Sequence, residues 1–319
     1  MTRAPRRPLS IGNVVSTGIV LYRSNLKTYF LIALQAYLWI ILPLTILVIS
    51  STIAITATIF RASGLYLWGF LAIVAFLLLI VSISKYQTNA ALISRLAYQD
   101  LIGQPETVRV ARQHVDPKLW RFWGVSILVG LQLFVIYILT AITLIILVQI
   151  LGFIFRGGAA ILIGFLVGAI GFLGIGIILS WYFARWMIAE VPLAVEKNLT
   201  ASESIKRSWD LTQNSALRVQ GVALAAFLVT IPIIALTNYV GEIIFYVGEI
   251  IFARAVLGSS LFWAGTAISF VFSFIGAILV LPLWQTIKSA IYYDLRTRRE
   301  GLDIKLRQGR GSNDDNNFI

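Results

Sequence analysis

Three long apolar runs, each followed by a second apolar run, dominate the pattern of hydrophobic and polar residues along the chain. Each long run ends on a similar tag, which reads Ile59-Phe60-Arg61, then Ile154-Phe155-Arg156, then Ile251-Phe252-Ala253-Arg254. A short turn of small residues follows each tag, and the chain then returns. Every run is at least as long as the roughly 20 residues that a helix needs to cross a bilayer. The pattern therefore predicts six transmembrane helices, arranged as three helix-pair repeats.

Proline and glycine modify this prediction at a few positions. Pro43 removes one helical hydrogen bond from the first long run and predicts a kink or break there. Beyond Pro232, in the third long run, we expect a helix on the outer surface rather than continued membrane. The spacing Gly164-x-x-x-Gly168 allows close approach of another helix backbone, and it predicts that this returning helix is the most tightly packed.

A shorter, more polar stretch precedes each long run. The first covers Leu9 to Asn25, the second Glu106 to Val115, and the third opens with a capping box between Thr200 and Glu203. We interpret all three as amphipathic helices on the cytoplasmic surface. The repeats cover residues of about 9–103, 104–199 and 200–307 within a single membrane domain, 1–307, and residues 308–319 are predicted to be disordered.

The repeats also predict how the helices assemble. One helix pair cannot bury its inner face alone, whereas packing against two copies buries all three faces. The predicted fold class is therefore an all-α integral membrane protein, with six transmembrane helices in a pseudo-threefold bundle.

Composition and charge agree with this architecture. Hydrophobic residues make up 59% of the chain and charged residues only 13%, which excludes an ordinary soluble domain. The net charge is +12, and almost all Lys and Arg lie on the side of the two termini, against Arg61, Arg156 and Arg254 opposite. By the positive-inside rule both termini are cytoplasmic. We expect no cleaved signal peptide, contacts with anionic lipids of the cytoplasmic leaflet, and no nucleic acid partner.

The inventory of reactive side chains is small. The chain has no Cys and a single His, His114, so disulfides, thiolate ligands and a multi-histidine metal site are excluded. A catalytic triad would have to use His114, and Asp116 lies too close in sequence to face it on a helix. We therefore expect no cofactor, no metal and no enzymatic activity.

Three arginines form the first candidate site. Arg61, Arg156 and Arg254 occupy equivalent positions in the three repeats, so a threefold arrangement would place them in a ring on the outer side. Arginine binds phosphate oxygens well, which makes the ring a candidate site for an anion or a lipid headgroup. The alternative is that each arginine snorkels to the interface from the end of its helix.

Charged residues near the predicted cytoplasmic surface form the second group of candidates. Glu190 is an acid at a membrane helix end, where it could pair with Arg185, carry a proton or cap the helix. In the C-terminal tail, Asp294 with Arg296, and Glu300 with Arg298 or Arg299, could anchor a partner or form structural ion pairs.

The C-terminal tail also carries a resemblance. The residues Tyr293-Asp294-x-Arg296 and Glu300-Gly301-x-Asp303 resemble the closing signature of a bacterial membrane-domain family. That family is found fused to some glycerophosphoryl diester phosphodiesterases and also as stand-alone, uncharacterised integral membrane proteins. The stretches Leu9 to Asn25 and Val191 to Thr212 resemble it too. The resemblance implies a multi-helix membrane domain but no activity, because the phosphodiesterase chemistry belongs to a separate barrel of roughly 250 residues.

These observations leave three hypotheses for function. The first is a non-enzymatic scaffold, assembly factor or accessory subunit of a membrane protein complex, in a bacterial inner (plasma) or thylakoid membrane. The second is a transporter or lipid-handling protein with a path along the pseudo-threefold axis, which predicts a cavity lined by polar residues. Its candidate lining residues are Gln35, Gln132, Thr140 and Thr143. The third is a lipid-cleaving enzyme, which would depend on His114 and Glu190.

Overall fold

The computed structural model describes residues 9–59, 65–155, 157–251 and 260–301, and in these ranges the chain forms helices joined by short turns, without a strand. Six of the helices are long and apolar enough to cross a membrane. The sequence prediction of an all-helical, six-pass membrane protein is therefore confirmed at this level. The helices are α1 (Ile11–Ser24), α2 (Leu26–Ile59), α3 (Leu65–Leu101), α4 (Val108–Val115), α5 (Leu119–Ile154), α6 (Gly158–Trp186), α7 (Glu190–Val195), α8 (Ala201–Thr212), α9 (Ala216–Ile251) and α10 (Ser260–Glu300).

Proline does not divide the long helices. Helix α2 continues through Pro43 and α9 continues through Pro232. Neither a break at Pro43 nor a separate helix after Pro232 is therefore present, and the alternative of a kink at Pro43 stays a prediction. A proline removes a single backbone hydrogen bond, and transmembrane helices tolerate this where neighbouring groups satisfy the freed carbonyl.

The long helices contact one another in a regular order. Each helix packs along its partner in the chain, so that α2 lies against α3, α5 against α6, and α9 against α10. Between pairs, α3 contacts α5, α6 contacts α9, and α10 contacts α2. Helix α10 also packs across α3. The six helices thus surround a common interior.

The short helices gather at one end of this bundle, which we call the polar end. Helices α1, α7 and α8 contact α10, α4 contacts α3, and α8 also contacts α5 and α6. Helix α1 buries Val14, Val15, Leu21 and Tyr22 and exposes much of its opposite side. The polar end also contains the last turns of α3 and α10. We call the opposite part of the long helices the apolar end.

Local signals set the ends of several helices at the polar end. Thr200 and Glu203 form the predicted capping box, in which the Thr200 hydroxyl accepts from the Glu203 amide and the Glu203 carboxylate accepts from the Thr200 amide. These hydrogen bonds lower the pKa of Glu203. Gly103 after α3 and Gly301 after α10 have positive φ angles of 74° and 60°, a conformation that favours glycine and ends a helix.

Helix α6 differs from the prediction. A Cβ atom added at Gly168 would meet no atom within 4 Å, and at Gly164 it would meet only Val148, at 3.8 Å. Large side chains of α6 such as Ile161 and Phe165 are exposed. The Gly164-x-x-x-Gly168 spacing therefore does not mark the most tightly packed helix. Close packing occurs instead at Gly171, against Leu144 of α5.

Candidate ligand-binding site

A partly open cavity of about 690 Å³ lies among the six long helices. Each long helix contributes to its wall: α2 through Tyr37, α3 through Tyr86, α5 through Val129, α6 through Phe183, and α9 and α10 through several residues. The volume falls in the range of roughly 300–1,000 Å³ that is typical of small-molecule sites. This is the feature of the structure best suited to binding a ligand.

One face of α10 forms the longest wall of the cavity. The lining residues follow one another at the three- and four-residue spacing of a single helix face. They are Ser273, Gly276, Ala277, Val280, Leu281, Trp284, Gln285 and Lys288. Fifteen residues separate the first from the last, which corresponds to about 22 Å along a helix. The cavity is therefore elongated parallel to the long helices.

An ion pair lines the cavity near the polar end. Lys288 of α10 donates from Nζ to Glu190 Oε1 over 2.7 Å, and their side chains are only 18% and 13% exposed. Of the described residues that line the cavity, these two carry the charges. Both partners are thus held largely away from solvent and paired with each other.

Local structure places each member of this ion pair. Helix α6 ends at Trp186, a turn follows in which the Ala189 amide donates to the Trp186 carbonyl, and Glu190 begins α7. An acidic side chain is favoured in the first turn of a helix. Lys288 lies one helical turn after Trp284, so both point from α10 to the same side.

Aromatic side chains line the same region. Tyr37 of α2 and Tyr86 of α3 meet edge to face, with ring centroids 5.3 Å apart and hydroxyl oxygens 3.5 Å apart. Trp186 and Trp284 also line the cavity. The remaining wall is mainly aliphatic, with residues such as Val129, Leu133 and Val280. It also contains a few polar side chains, which are those of Gln87, Ser126, Thr237, Ser273 and Gln285. The two charged groups thus lie near one end, and aromatic and aliphatic groups extend along the length, where Tyr37 also contacts Phe274.

A second hollow, of about 440 Å³, adjoins the cavity between α5 and α6. Leu133 and Phe183 line both spaces. The other lining residues of the second hollow are Phe134, Tyr137, Leu179 and Ser180. Its wall is almost wholly apolar, and it places the exposed residues Phe134 and Tyr137 of α5 beside the boundary of the cavity.

The polar residues expected to line a transport path lie elsewhere. Gln35 accepts a hydrogen bond from Arg112 at the polar end, and Gln132 is exposed. Thr140 and Thr143 donate to carbonyls one turn earlier in their own helix. A cavity is present, but the four residues predicted to line it do not, because a helix places neighbouring positions on different faces. Its polar groups come from other residues, among them Gln87, Thr237 and Gln285. The transport path itself stays a prediction.

Glu190 and Arg185 do not pair with each other. Five positions separate them, and the turn after Trp186 directs Glu190 into the cavity, to Lys288. The Arg185 guanidinium lies against aromatic rings instead, with its central carbon 3.9 Å from the Trp209 centroid and 5.2 Å from that of Trp181. It is only 3% exposed. Cation–π contact replaces the expected carboxylate.

The C-terminal charges pair at different positions from those predicted. The Asp294 carboxylate accepts a hydrogen bond from the Leu9 amide over 2.7 Å. It also accepts hydrogen bonds from Arg298 over 3.0 Å and from Arg218 over 3.2 Å. Arg296 instead donates to Glu300 and to the Tyr98 hydroxyl. The pairs expected between Asp294 and Arg296, and between Glu300 and Arg298 or Arg299, were wrong. A spacing of four residues brings two side chains together on a helix, and a spacing of one or two does not.

Glu300 belongs to a further network that joins α7, α8 and α10. Arg207 of α8 contacts both Glu300 and Glu196, and the Tyr292 hydroxyl donates to Glu196. Burial alone would lower the pKa of Arg207, but the two carboxylates outweigh it and raise that pKa. These charges hold the short helices to α10. The C-terminal signature thus serves packing at the polar end.

The remaining predicted site residues fall outside the described ranges. These residues are Arg61, Arg156, Arg254 and Asp303. The arginine ring therefore stays a prediction. Among the residues that the structure describes, no group of three His, Cys, Asp or Glu side chains is placed to hold a metal ion.

Sequence reasoning missed Lys288, Tyr37 and Tyr86 as candidate site residues. Lys288 interrupts an apolar stripe at three- and four-residue spacing on α10, and that spacing was a usable signal. Its partner Glu190 is distant in sequence, so the pair emerges only from the fold.

Comparison with protein families, with curated proteins and with solved structures finds no match to this chain. The resemblance of the C-terminal tail to the phosphodiesterase-associated membrane domains therefore stays a prediction. The geometry of the cavity carries the functional argument.

Proposed function

We propose that this chain is a multi-pass membrane protein that binds an amphipathic lipid in its central cavity and thereby handles lipid within the membrane. The observation that carries the proposal is an elongated cavity whose wall is aliphatic over most of its length and holds an ion pair near one end. An acyl chain is favoured against aliphatic walls. A polar headgroup needs hydrogen-bonding partners when it leaves water, and the ion pair supplies them.

The arrangement of the helices supports this proposal. Each second helix of a pair contacts the first helix of the next pair, as expected for three repeats around a pseudo-threefold axis. In this assembly the cavity lies on the axis. The second hollow, which shares Leu133 and Phe183 with the cavity, offers a route from the surrounding lipid.

The proposed orientation follows from charge. The polar end, with its amphipathic helices, lies on the cytoplasmic side of a bacterial inner or thylakoid membrane, as the positive-inside rule indicates. Exposed basic side chains there include Arg23, Lys27, Arg109 and Lys206. Near an anionic surface each contributes about 1 kcal/mol to membrane attraction.

Lipid retention by two matched glycine variants tests the proposal. Gly130 and Gly152 both lie on α5, and a Cβ atom at either would meet no atom within 4 Å, but only Gly130 lines the cavity. The protein is extracted gently from native membranes, and mass spectrometry identifies the lipids that co-purify. We expect Gly130→Phe to lose an amphiphile that the wild type and Gly152→Phe both retain. Equal retention by all three proteins would contradict the proposal.

The second candidate function is that of a scaffold or accessory subunit. The exposed basic side chains of the polar end favour it, because they could bind an acidic protein surface as well as anionic lipid. The same purification tests it. A protein that co-purifies in a fixed ratio, and that Gly130→Phe retains, would support the scaffold and separate it from lipid binding.

A further inference from the structure

The charges of the cavity define the headgroup that it can accept. Glu190 and Lys288 are paired with each other, and together they have no net charge. Removing one partner of a largely buried ion pair leaves the other charge uncompensated, which is strongly unfavourable. An anionic headgroup bound to Lys288 would add a second negative charge beside Glu190, and a cationic headgroup bound to Glu190 would add a second positive charge beside Lys288.

A headgroup with both charges avoids this cost. A phosphate accepts hydrogen bonds from the Lys288 ammonium, which has three donors, while an ammonium donates to the Glu190 carboxylate. The intramolecular ion pair is then exchanged for two intermolecular ones. Trp186 and Trp284 line the same region, and aromatic rings attract an ammonium through cation–π interaction.

The remaining space limits the apolar part of the ligand. The α10 wall extends about 22 Å from Lys288 to Ser273, and the volume of about 690 Å³ belongs to one elongated space. A single acyl chain follows such a space along its aliphatic wall, with the headgroup at the Glu190–Lys288 end.

We propose that the ligand is a single-chain zwitterionic amphiphile, in which an acyl chain is joined to a phosphate and an ammonium. This inference rests on the proposed function, because it names the lipid class that the same cavity binds. Glu190 takes the ammonium and Lys288 takes the phosphate.

Three probes with the same palmitoyl chain test the headgroup. They are lysophosphatidylethanolamine, which is zwitterionic, lysophosphatidylglycerol, which is anionic, and monopalmitoylglycerol, which is uncharged. Binding of each to the purified full chain is measured by native mass spectrometry. We expect the wild type to bind the zwitterionic probe about tenfold more tightly than the anionic probe, because only the former pairs with both charges.

Two neutral substitutions assign the roles. Glu190→Gln removes the partner of the ammonium, so the preference for the zwitterionic over the anionic probe should disappear. Lys288→Gln removes the partner of the phosphate, so both phosphate-containing probes should bind about tenfold more weakly. A preference that Glu190→Gln leaves unchanged would overturn the assignment.

The uncharged probe separates failure of this inference from failure of the proposed function. Gly152→Phe, at a position that does not line the cavity, should bind monopalmitoylglycerol like the wild type, whereas Gly130→Phe should not. Tighter wild-type binding of the anionic probe, with monopalmitoylglycerol still lost in Gly130→Phe, would overturn the zwitterion and leave a lipid cavity. Failure of the wild type to bind any of the three probes would overturn the cavity as a lipid site.

Discussion

The two ends of the bundle use the same residue types under different physical conditions. Ile188, at the polar end, is 0% exposed and packs among side chains of the protein, whereas Ile161 on α6 is 76% exposed. At the polar end, burial removes apolar surface from water, and charges must find partners. At the apolar end the proposed surroundings are lipid, which is as apolar as isoleucine, so exposure of such a side chain costs little.

The polar and apolar ends of the bundle also differ in the hydrogen bonds that connect their segments. At the polar end, buried hydrogen bonds connect distant segments, such as Leu9 with Asp294 and Ser94 with Gln285. At the apolar end the described threonines on α2, such as Thr52 and Thr58, donate mainly within their own helix. Hydrogen bonds between segments distant in the chain thus hold the polar end together, whereas the apolar end has contacts between paired helices, such as that of Ser273 with Asn238. The cavity lies between these regions, with its ion pair toward the first.

The largest expected effect comes from Asp294, whose carboxylate is only 2% exposed and joins α10 to the N-terminal segment and to Arg218 of α9. Asp294→Asn leaves two arginines without their carboxylate, and we expect the free energy of unfolding to fall by about 3–5 kcal/mol. Denaturant unfolding in nanodiscs measures it. Asp116→Asn, at an exposed position, is the control and should change stability by less than about 0.5 kcal/mol. Equal effects would show that the polar end is not held by this carboxylate.

A matched pair of isoleucines tests the comparison directly. Ile188→Ala should lower the free energy of unfolding by about 2–5 kcal/mol, because it leaves a cavity in a packed core. Ile161→Ala should change it by less than about 0.5 kcal/mol, because the side chain contacts little protein. Thermal unfolding of both variants in the same lipid provides the measurement. A large effect at Ile161 would mean that a second protein surface covers α6.

Alanine substitutions at two glycines of α1 should change the free energy of unfolding by smaller amounts, and in opposite directions. A Cβ atom at Gly18 would lie 3.0 Å from the Ile287 Cα atom of α10, whereas a Cβ atom at Gly12 would meet no atom within 4 Å. We expect Gly18→Ala to destabilise the protein by about 1–3 kcal/mol through overpacking. Gly12→Ala should instead stabilise it by up to about 1 kcal/mol, because alanine favours helix. Proteolysis of α1 under native conditions compares the two variants, and the same sign for both would contradict the close approach.

The smallest expected effect is the contribution of the α8 capping box to the pH dependence of stability. Hydrogen bonds from Thr200 lower the pKa of Glu203 in the folded protein, so ionised Glu203 stabilises the fold above the pKa of the unfolded chain. That contribution is lost as the pH falls through the lowered pKa. Unfolding of the wild type and Glu203→Gln, compared from neutral to acidic pH, should show a stability difference that shrinks toward low pH. A difference that grows on acidification would contradict the assignment.

Much of the secondary structure was predictable from the sequence. Apolar runs of sufficient length predicted six transmembrane helices, and the part of the chain that the structure describes contains six helices long and apolar enough to cross a membrane. Thr200 with Glu203 predicted the start of a helix, because capping depends on residues close together in the chain. Proline was the exception, because its effect on a helix depends on neighbours that the sequence does not reveal.

The candidate site was predictable only in part. Glu190 stood out because a carboxylate at a membrane helix end is uncommon. Lys288, almost a hundred positions later, resembled the other basic residues of the tail. The alternation of three and four residues on α10 showed which positions share a face, but not which face meets the interior.

The sequence by itself determined that this is an all-helical chain with six segments able to cross a membrane, because length, hydropathy and capping act over a few turns of one helix. The tertiary structure alone decided that Glu190 meets Lys288, that Arg185 lies against Trp209, and that Asp294 binds the N-terminal segment. Charged side chains in low-dielectric surroundings need partners, and helix packing decides which distant residues come within reach. The cavity belongs to the same category, because it is the space that six separately predictable helices leave between them.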